Sequence, residues 1–267
     1  MDTVLIAILS VSAIGLICSI LLSVVSKVMA VEVDERMAMV RSCLPGANCG
    51  ACGYSGCNAF AVALVEGGAA ANLCTPGGND LVKQLSEIMG IDEGEGINKK
   101  IAIVHCLGNS DVKSVKMEYN GISTCVSAVL HHGGQNACVF GCLGFGDCLK
   151  MCPSDAICIE KGLAQINPRL CSGCGLCMKV CPNNVISLES DPLRLAVMCN
   201  NTEKGAVLKD KCAVGCIGCM KCVKVCPLEA ITVNDFLASV DYFKCNGCKK
   251  CIPVCPKNCI VGFVSAQ

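Results

Sequence analysis

One spacing constrains this chain more than any other feature: C-x2-C-x2-C-x3-C-P, present three times. The runs are Cys171, Cys174, Cys177 and Cys181; Cys216, Cys219, Cys222 and Cys226; and Cys245, Cys248, Cys251 and Cys255, each closed by a proline. Three thiols at such short intervals wrap around one small inorganic centre, while the fourth, turned away ahead of its proline, reaches a second one. Thiolates are the soft donors that iron–sulfur clusters take.

This is the bacterial ferredoxin spacing for [4Fe–4S] clusters. Zinc ribbons also use C-x2-C pairs, but not this triplet ending in Cys-Pro. A fourth run, Cys138, Cys142, Cys148 and Cys152-Pro153, is irregular, and an internal repeat makes sense of it. Adding 74 carries Cys125, Cys138, Cys142, Cys148, Cys152, Cys171, Cys174, Cys177 and Cys181 onto nine further cysteines, from Cys199 to Cys255, without a gap. A duplicated module follows, each copy a two-cluster ferredoxin fold of paired β-α-β halves. Crossed ligation then gives four expected sites: Cys138, Cys142, Cys148 with Cys181; Cys152 with Cys171, Cys174, Cys177; Cys216, Cys219, Cys222 with Cys255; and Cys226 with Cys245, Cys248, Cys251. By the repeat, Cys212 matches Cys138 and Cys219 matches Phe145. Standard spacing favours Cys219 over Cys212 as the ligand.

A fifth group, Cys49, Cys52, Cys57 and Cys74, precedes the modules, with Gly46, Gly50, Gly53 and Gly56 around its first three members. Glycine lets a short loop adopt positive φ and bring backbone N–H groups up to sulfur. Spacing alone would suit zinc nearly as well; beside four cluster sites a fifth [4Fe–4S] cluster is expected, about five in all. Eight cysteines remain. Cys18, Cys43, Cys158 and Cys259 read as small buried hydrophobes. Cys106, Cys125, Cys199 and Cys212 are less settled: Cys106 and Cys199 each end an apolar stretch (AIVHC, LAVMC), and extra metal ligation stays open for all four.

Two motifs mislead. Cys212-x3-Cys216-x2-Cys219 has the spacing of radical enzymes that use S-adenosylmethionine, but no barrel repeat of strands and helices follows it. The segment GCLGFG does not fit G-x-G-x-x-G, and neither a Rossmann nor a P-loop signature occurs elsewhere. No NAD, flavin or ATP is expected on this chain. His105, His131 and His132 have no catalytic constellation around them, and no residue is expected to act as acid, base or nucleophile.

The chain has 267 residues, 22 basic and 22 acidic side chains, and few aromatic rings. Disorder is excluded by its apolar content, and nucleic-acid binding is disfavoured by the lack of net positive charge and of rings to stack on bases. Thr3–Ser26 carries no charged residue. As a helix it would extend roughly 36 Å, which predicts a transmembrane anchor within residues 1–30. A signal peptide cleaved near Val28-Met29-Ala30 is disfavoured by the length of the run and by Asp2 in place of a basic n-region. Lys27, Arg36 and Arg41 follow the run and no basic residue precedes it, so the expected orientation is single-pass in the cell membrane, N-terminus outside, with the bulk of the chain cytoplasmic. In the reducing cytosol dense cysteine means metal rather than disulfide.

The expected fold class is α+β: the transmembrane helix, a juxtamembrane helix (31–44), a small four-cysteine [4Fe–4S] domain (45–90), a linker and connecting α/β segment (91–135), and two tandem two-cluster ferredoxin-like modules (136–190 and 191–267). Helices are expected at 58–65 and from a cap at Asn79 through Met89, stopping at Gly90, with a linker at 91–98. Residues 199–267 hold nine lysines against five acidic groups. Lys221, Lys224, Lys249 and Lys250 are candidates for docking an acidic redox partner such as soluble ferredoxin.

An apolar N-terminus, then LPGANCGACGYSGC with a later Cys74, then GCLGFGDCLKMCP and tandem ferredoxin runs, together resemble the B-subunit family of the Rnf complexes, ion-translocating ferredoxin:NAD+ oxidoreductases of bacterial membranes. The resemblance covers nearly the whole chain. It implies an iron–sulfur subunit, without a complete active site of its own, that passes electrons between soluble ferredoxin and flavin- and NAD-binding subunits. Ion pumping would belong to integral-membrane subunits. Some family members carry one ferredoxin module where this chain has two. The alternatives weighed are an electron-transfer subunit of another membrane hydrogenase or dehydrogenase, and a zinc-stabilised scaffold.

Overall fold

The computed structural model describes residues 2–28, 34–92, 99–190 and 194–263. Helix α1 spans Asp2–Val28. The expected transmembrane helix requires correction: among the described residues no helix is long and apolar enough to cross a membrane. The run of apolar residues is interrupted by Ser12, Ser19, Ser23 and Ser26 and is followed by Lys27, polar groups that lower its hydropathy. Residues 29–33, which hold most of the cleavage-like tripeptide and the start of the expected juxtamembrane segment, lie outside the described residues, as do 93–98 of the expected linker.

Helix α2 (Glu35–Cys43) starts at Asp34, whose carboxylate accepts from Arg36 N at 2.9 Å. It stops where Leu44, held extended ahead of Pro45, leaves the helical region. Helix α3 (Cys57–Val65) and helix α4 (Gly78–Met89) pack on it around Val40, Phe60, Leu64, Leu81 and Leu85. The start of α4 differs from expectation. A 3-10 turn over Thr75–Gly77 puts Gly77 at the cap and Asn79 inside the helix, while Gly90 ends it with φ of 64° as expected.

Two similar modules follow. In the first, β1 (Lys100–Val104) leads through α5 (Cys125–Val129) and α6 (Asp147–Lys150) to a hairpin of β2 (Ile157–Glu160) and β3 (Leu163–Ile166), then α7 (Leu176–Val180) and β4 (Ile186–Ser190). In the second, β5 (Leu195–Val197), α8 (Gly205–Leu208), α9 (Lys221–Val225), the hairpin β6 (Ile231–Asn234)–β7 (Leu237–Val240) and β8 (Ile260–Gly262) repeat the order. Each module closes by pairing its first and last strands antiparallel: Lys100 faces Ser190 and Val104 faces Ile186, as Leu195 faces Gly262 and Val197 faces Ile260. The segment expected to connect domains therefore supplies β1, a strand of the first module.

The strands are three to five residues long, and cysteines contribute to the cores of both modules. Ile101, Ile103 and Ala196 form a further buried cluster that joins the modules, with Tyr242 and Phe263 against it.

Candidate functional site

Backbone conformation shapes the cysteine loops before any side chain is considered. In each of the four ferredoxin-type loops the residue two positions after the first cysteine has positive φ: Gly144, Gly173, Gly218 and Gly247. A Cβ on Gly218 would lie 2.8 Å from Phe236 O, and one on Gly173 would collide with Lys100 O, so side chains are excluded on contact as well as on φ. Two residues further on the chain turns left-handed again, at Gly146, Gly175, Met220 and Lys249. Such alternation turns successive amides to one side, toward the sulfur ligands.

A third left-handed residue follows each Cys-Pro: Asp155, Asn184, Glu229 and Asn258. This turn aims the next amide back at the cysteine. Ala156 N donates to Cys152 Sγ and Ala230 N to Cys226 Sγ, both at 3.3 Å. Ala102 N on β1 donates to Cys171 Sγ at 3.4 Å.

The thiols gather in groups. Around Cys177, which burial pushes up to about 11, the neighbouring thiols are Cys171, Cys174 and Cys152. Burial raises Cys251 too, beside Cys245, Cys248 and Cys226, and these four line a cavity of about 310 Å³. Cys216, Cys219, Cys222 and Cys255 line another of about 350 Å³, in which Cys259 also sits, 3.5 Å from Cys255 Sγ. In the N-terminal domain, Cys74 is raised by burial and faces Cys52, Cys49 and Cys57. Asn48 Oδ1 fixes that loop by accepting from Cys57 N at 2.9 Å.

The first module departs from the expected grouping. Cys142, Cys148 and Cys181 line a cavity of about 380 Å³, but their fourth thiol is Cys125, not Cys138. Burial pushes Cys148 up to about 12, and its thiol neighbours are Cys142, Cys125 and Cys181. The backbone amides of Asp147 and Phe145 point at the Cys125 sulfur, so Cys125 reaches the place that the repeat assigns to Phe145 and that Cys219 fills in the second module. Cys138 lies across the Gly141 wall in a different cavity, of about 290 Å³, with Cys106, Cys199 and Cys212. Of the two cysteines left open by the sequence, Cys219 lines the cavity of Cys216 and Cys222, and Cys212 lines the other one.

These arrangements fit clusters better than single ions. Among the described residues no group of three or more His, Cys, Asp or Glu side chains is arranged to hold a metal ion. Tetrahedral zinc would draw four sulfurs to about 2.3 Å from one point. Thiols spread around a cavity, with amides aimed at sulfur, suit the corners of a larger cage. Buried thiols with raised pKa stay protonated until iron displaces the proton. His105 is satisfied structurally, its ring nitrogens 2.8 Å from Val197 O and 2.7 Å from Ser187 Oγ. Lys221, Lys224, Lys249 and Lys250 are all exposed, beside the exposed Cys219 and Cys248.

Repeated cysteine loops on paired short sheets, with almost no other polar chemistry in the cavities, define an iron–sulfur electron-transfer protein of the multi-ferredoxin type. Comparison with known proteins bears this out. Residues 44–76 match the FeS family of Fe–S cluster domains, 138–156 and 164–187 match 4Fe-4S binding domains, and 215–259 match a 4Fe-4S dicluster domain. The chain is 40% identical over 251 residues (94% of it, 75% of the relative) to the B subunit of the Na(+)-translocating ferredoxin:NAD(+) oxidoreductase complex of Acetobacterium woodii. It is 42% identical to the proton-translocating counterpart of Clostridium ljungdahlii, over 90% of this chain and 85% of that one. To the B subunit of the ion-translocating oxidoreductase complex of Methanosarcina acetivorans it is 38% identical, over 91% and 93%. The chain belongs to the B-subunit family of the Rnf-type ion-translocating oxidoreductase complexes and is an iron–sulfur subunit carrying multiple [4Fe–4S] sites.

Proposed function

We propose that this subunit relays electrons between reduced soluble ferredoxin and the flavin- and NAD-binding subunits of its complex, on the cytoplasmic face, where thiols stay reduced. The observation that carries the reading is the convergence of cysteines from distant loops on four-thiol sites. When bound, the clusters supply single-electron acceptance and release. The chain's own residues hold them, surround the sulfurs with amide donors and limit water, which are the protein's means of setting potential.

The expected ligand sets Cys152, Cys171, Cys174, Cys177; Cys216, Cys219, Cys222, Cys255; Cys226, Cys245, Cys248, Cys251; and Cys49, Cys52, Cys57, Cys74 are each supported by this proximity. Cys142, Cys148 and Cys181 are completed by Cys125. The Cβ position of Gly50 lies 3.7 Å from Lys179 Nζ, so the N-terminal four-cysteine domain approaches α7 of the first module.

Entry of electrons at the second module is supported by its charge and exposure. Lys221 follows Cys219 by two residues, and Lys249 and Lys250 follow Cys248 directly. A positive rim around exposed ligands attracts an acidic donor and raises its association rate. The test is the reduction rate of the isolated, loaded complex by reduced ferredoxin as salt is raised from about 20 to 300 mM. The rate should fall steeply, because the Debye length shrinks over that range; a rate independent of salt would remove the lysines from the entry site.

A further inference from the structure

The cavity lined by Cys106, Cys138, Cys199 and Cys212 belongs to neither module alone. Cys106 comes two residues after β1 and Cys199 two residues after β5, so the two occupy equivalent places in the repeat. Cys138 and Cys212 are also equivalent, each four residues ahead of the first cysteine of its loop, Cys142 or Cys216. The site is therefore made of two matching pairs, one from each module, meeting across the junction. The chain between the pair is longer in the first module, and the added segment is what carries Cys125 to its own cavity.

The junction around this site is tightly built. Lys113 and Cys212 form an antiparallel bridge, with Ser114 N donating to Lys211 O at 3.0 Å and Ala213 N to Val112 O at 2.9 Å. The sulfurs already have donors: Gly108 N and Cys142 N reach Cys106 Sγ at 3.4 and 3.5 Å, and Asn201 Nδ2 reaches Cys138 Sγ at 3.3 Å. Asn201 is itself buried and locked, accepting from Glu203 N at 2.7 Å. Two glycines border the sulfurs at contact distance. A Cβ on Gly141 would lie 3.5 Å from Cys106 Sγ and 3.7 Å from Cys138 Sγ; one on Gly108 would lie 3.5 Å from Cys106 Sγ and 3.8 Å from Cys212 Sγ. The cavity, at about 290 Å³, matches the 310 Å³ of the Cys226, Cys245, Cys248, Cys251 site.

We propose that Cys106, Cys138, Cys199 and Cys212 bind a sixth [4Fe–4S] cluster that bridges the two modules. Binding exchanges four thiol protons, released to solvent, for four Fe–S bonds. The inference rests on the iron–sulfur reading above and adds to its five sites. It also gives all but four cysteines a place: Cys18, Cys43, Cys158 and Cys259 stay outside every ligand set.

The test is the iron and acid-labile sulfide content of the full chain, prepared without oxygen and loaded to saturation, with zinc measured in the same sample. About 24 irons per chain are expected rather than about 20. Cys106→Ala with Cys199→Ala should lose about four irons and four sulfides, and Cys158→Ala should lose none. Saturation of the parent protein at about 20 irons, unchanged iron in the double variant, or one zinc per chain lost on that substitution would each overturn the proposal and leave the five-site reading standing. A parent protein without iron would instead sink that reading. Should the double variant fail to fold, the saturation value of the parent protein decides alone.

Discussion

The two ferredoxin-like modules gather four thiols around a cavity by different routes. In the second, Cys216, Cys219 and Cys222 are supplied by one loop of seven residues, and only Cys255 comes from afar. In the first, the middle cysteine of that loop is replaced by Phe145, and Cys125 from helix α5 brings its sulfur to the same backbone. The change frees Phe145 to pack against Tyr119, with ring centroids 5.5 Å apart, in a small apolar cluster that the second module lacks among the described residues. A ligand position is thus defined by a point in space beside two amides, and the chain can fill it from near or far.

Removing iron should have the largest effect and should erase the comparison altogether. Strands of three to five residues on cores partly made of thiols cannot offset the entropy of ordering the chain. The iron-free protein should lose its cooperative thermal transition and most protection from protease. A transition like that of the loaded protein would show that the modules fold without clusters.

The next effect tests the two routes directly. Cys125→Ala should cost about four irons, and adding Phe145→Cys should restore them, because the new thiol between Cys142 and Cys148 would give the first module the same grammar as the second. In the second module Cys219→Phe should also cost about four irons, and Cys212 should not replace it. Iron and sulfide analysis reads both; recovery of iron in Cys219→Phe alone would break the assignment.

A smaller effect concerns charge. Replacing Lys221, Lys224, Lys249 and Lys250 by glutamine should slow reduction by ferredoxin about tenfold at low salt and much less at high salt. Replacing Lys150 and Lys161 of the first module should leave the rate within about twofold. Equal effects in both modules would deny the second its role as the entry point.

The smallest effect lies in the backbone. Gly146 and Gly175 occupy left-handed positions that the second module gives to Met220 and Lys249, with φ of 58° at both. Met220→Gly relieves the strain of a side chain there but loosens the unfolded chain, so the loaded protein should change stability by less than about 1 kcal/mol, toward gain. Gly175→Ala meets both positive φ and Leu188 Cδ1 at 3.2 Å, and should cost about 1 kcal/mol or more. Thermal unfolding of the loaded protein measures each.

Much of the protein is legible in the order of its residues. The three regular runs carry their own spacing, so most ligands of the second module, and the cluster chemistry itself, follow from short-range sequence. The crossed placement of Cys181 and Cys255, each beside the cysteines of the other loop, follows from the ferredoxin spacing. The partners of Cys125 and Cys138 are not legible, because a single offset of 74 aligns Cys125 with Cys199 while the strands β1 and β5 align Cys106 with it. Hydropathy alone makes the N-terminal run look long enough to span a bilayer, and that span is not upheld among the described residues.

What sequence alone determined is local: where a loop must bend, which sulfurs point inward, and that soft metal rather than disulfide holds the chain. What tertiary structure decided is the pairing of distant thiols, Cys125 into the first module's cavity and Cys106, Cys138, Cys199 and Cys212 into the junction. The reason is physical. A ligand set is fixed by distances across space, and only the closing of β1 on β4 and β5 on β8 brings those sulfurs within reach of one another.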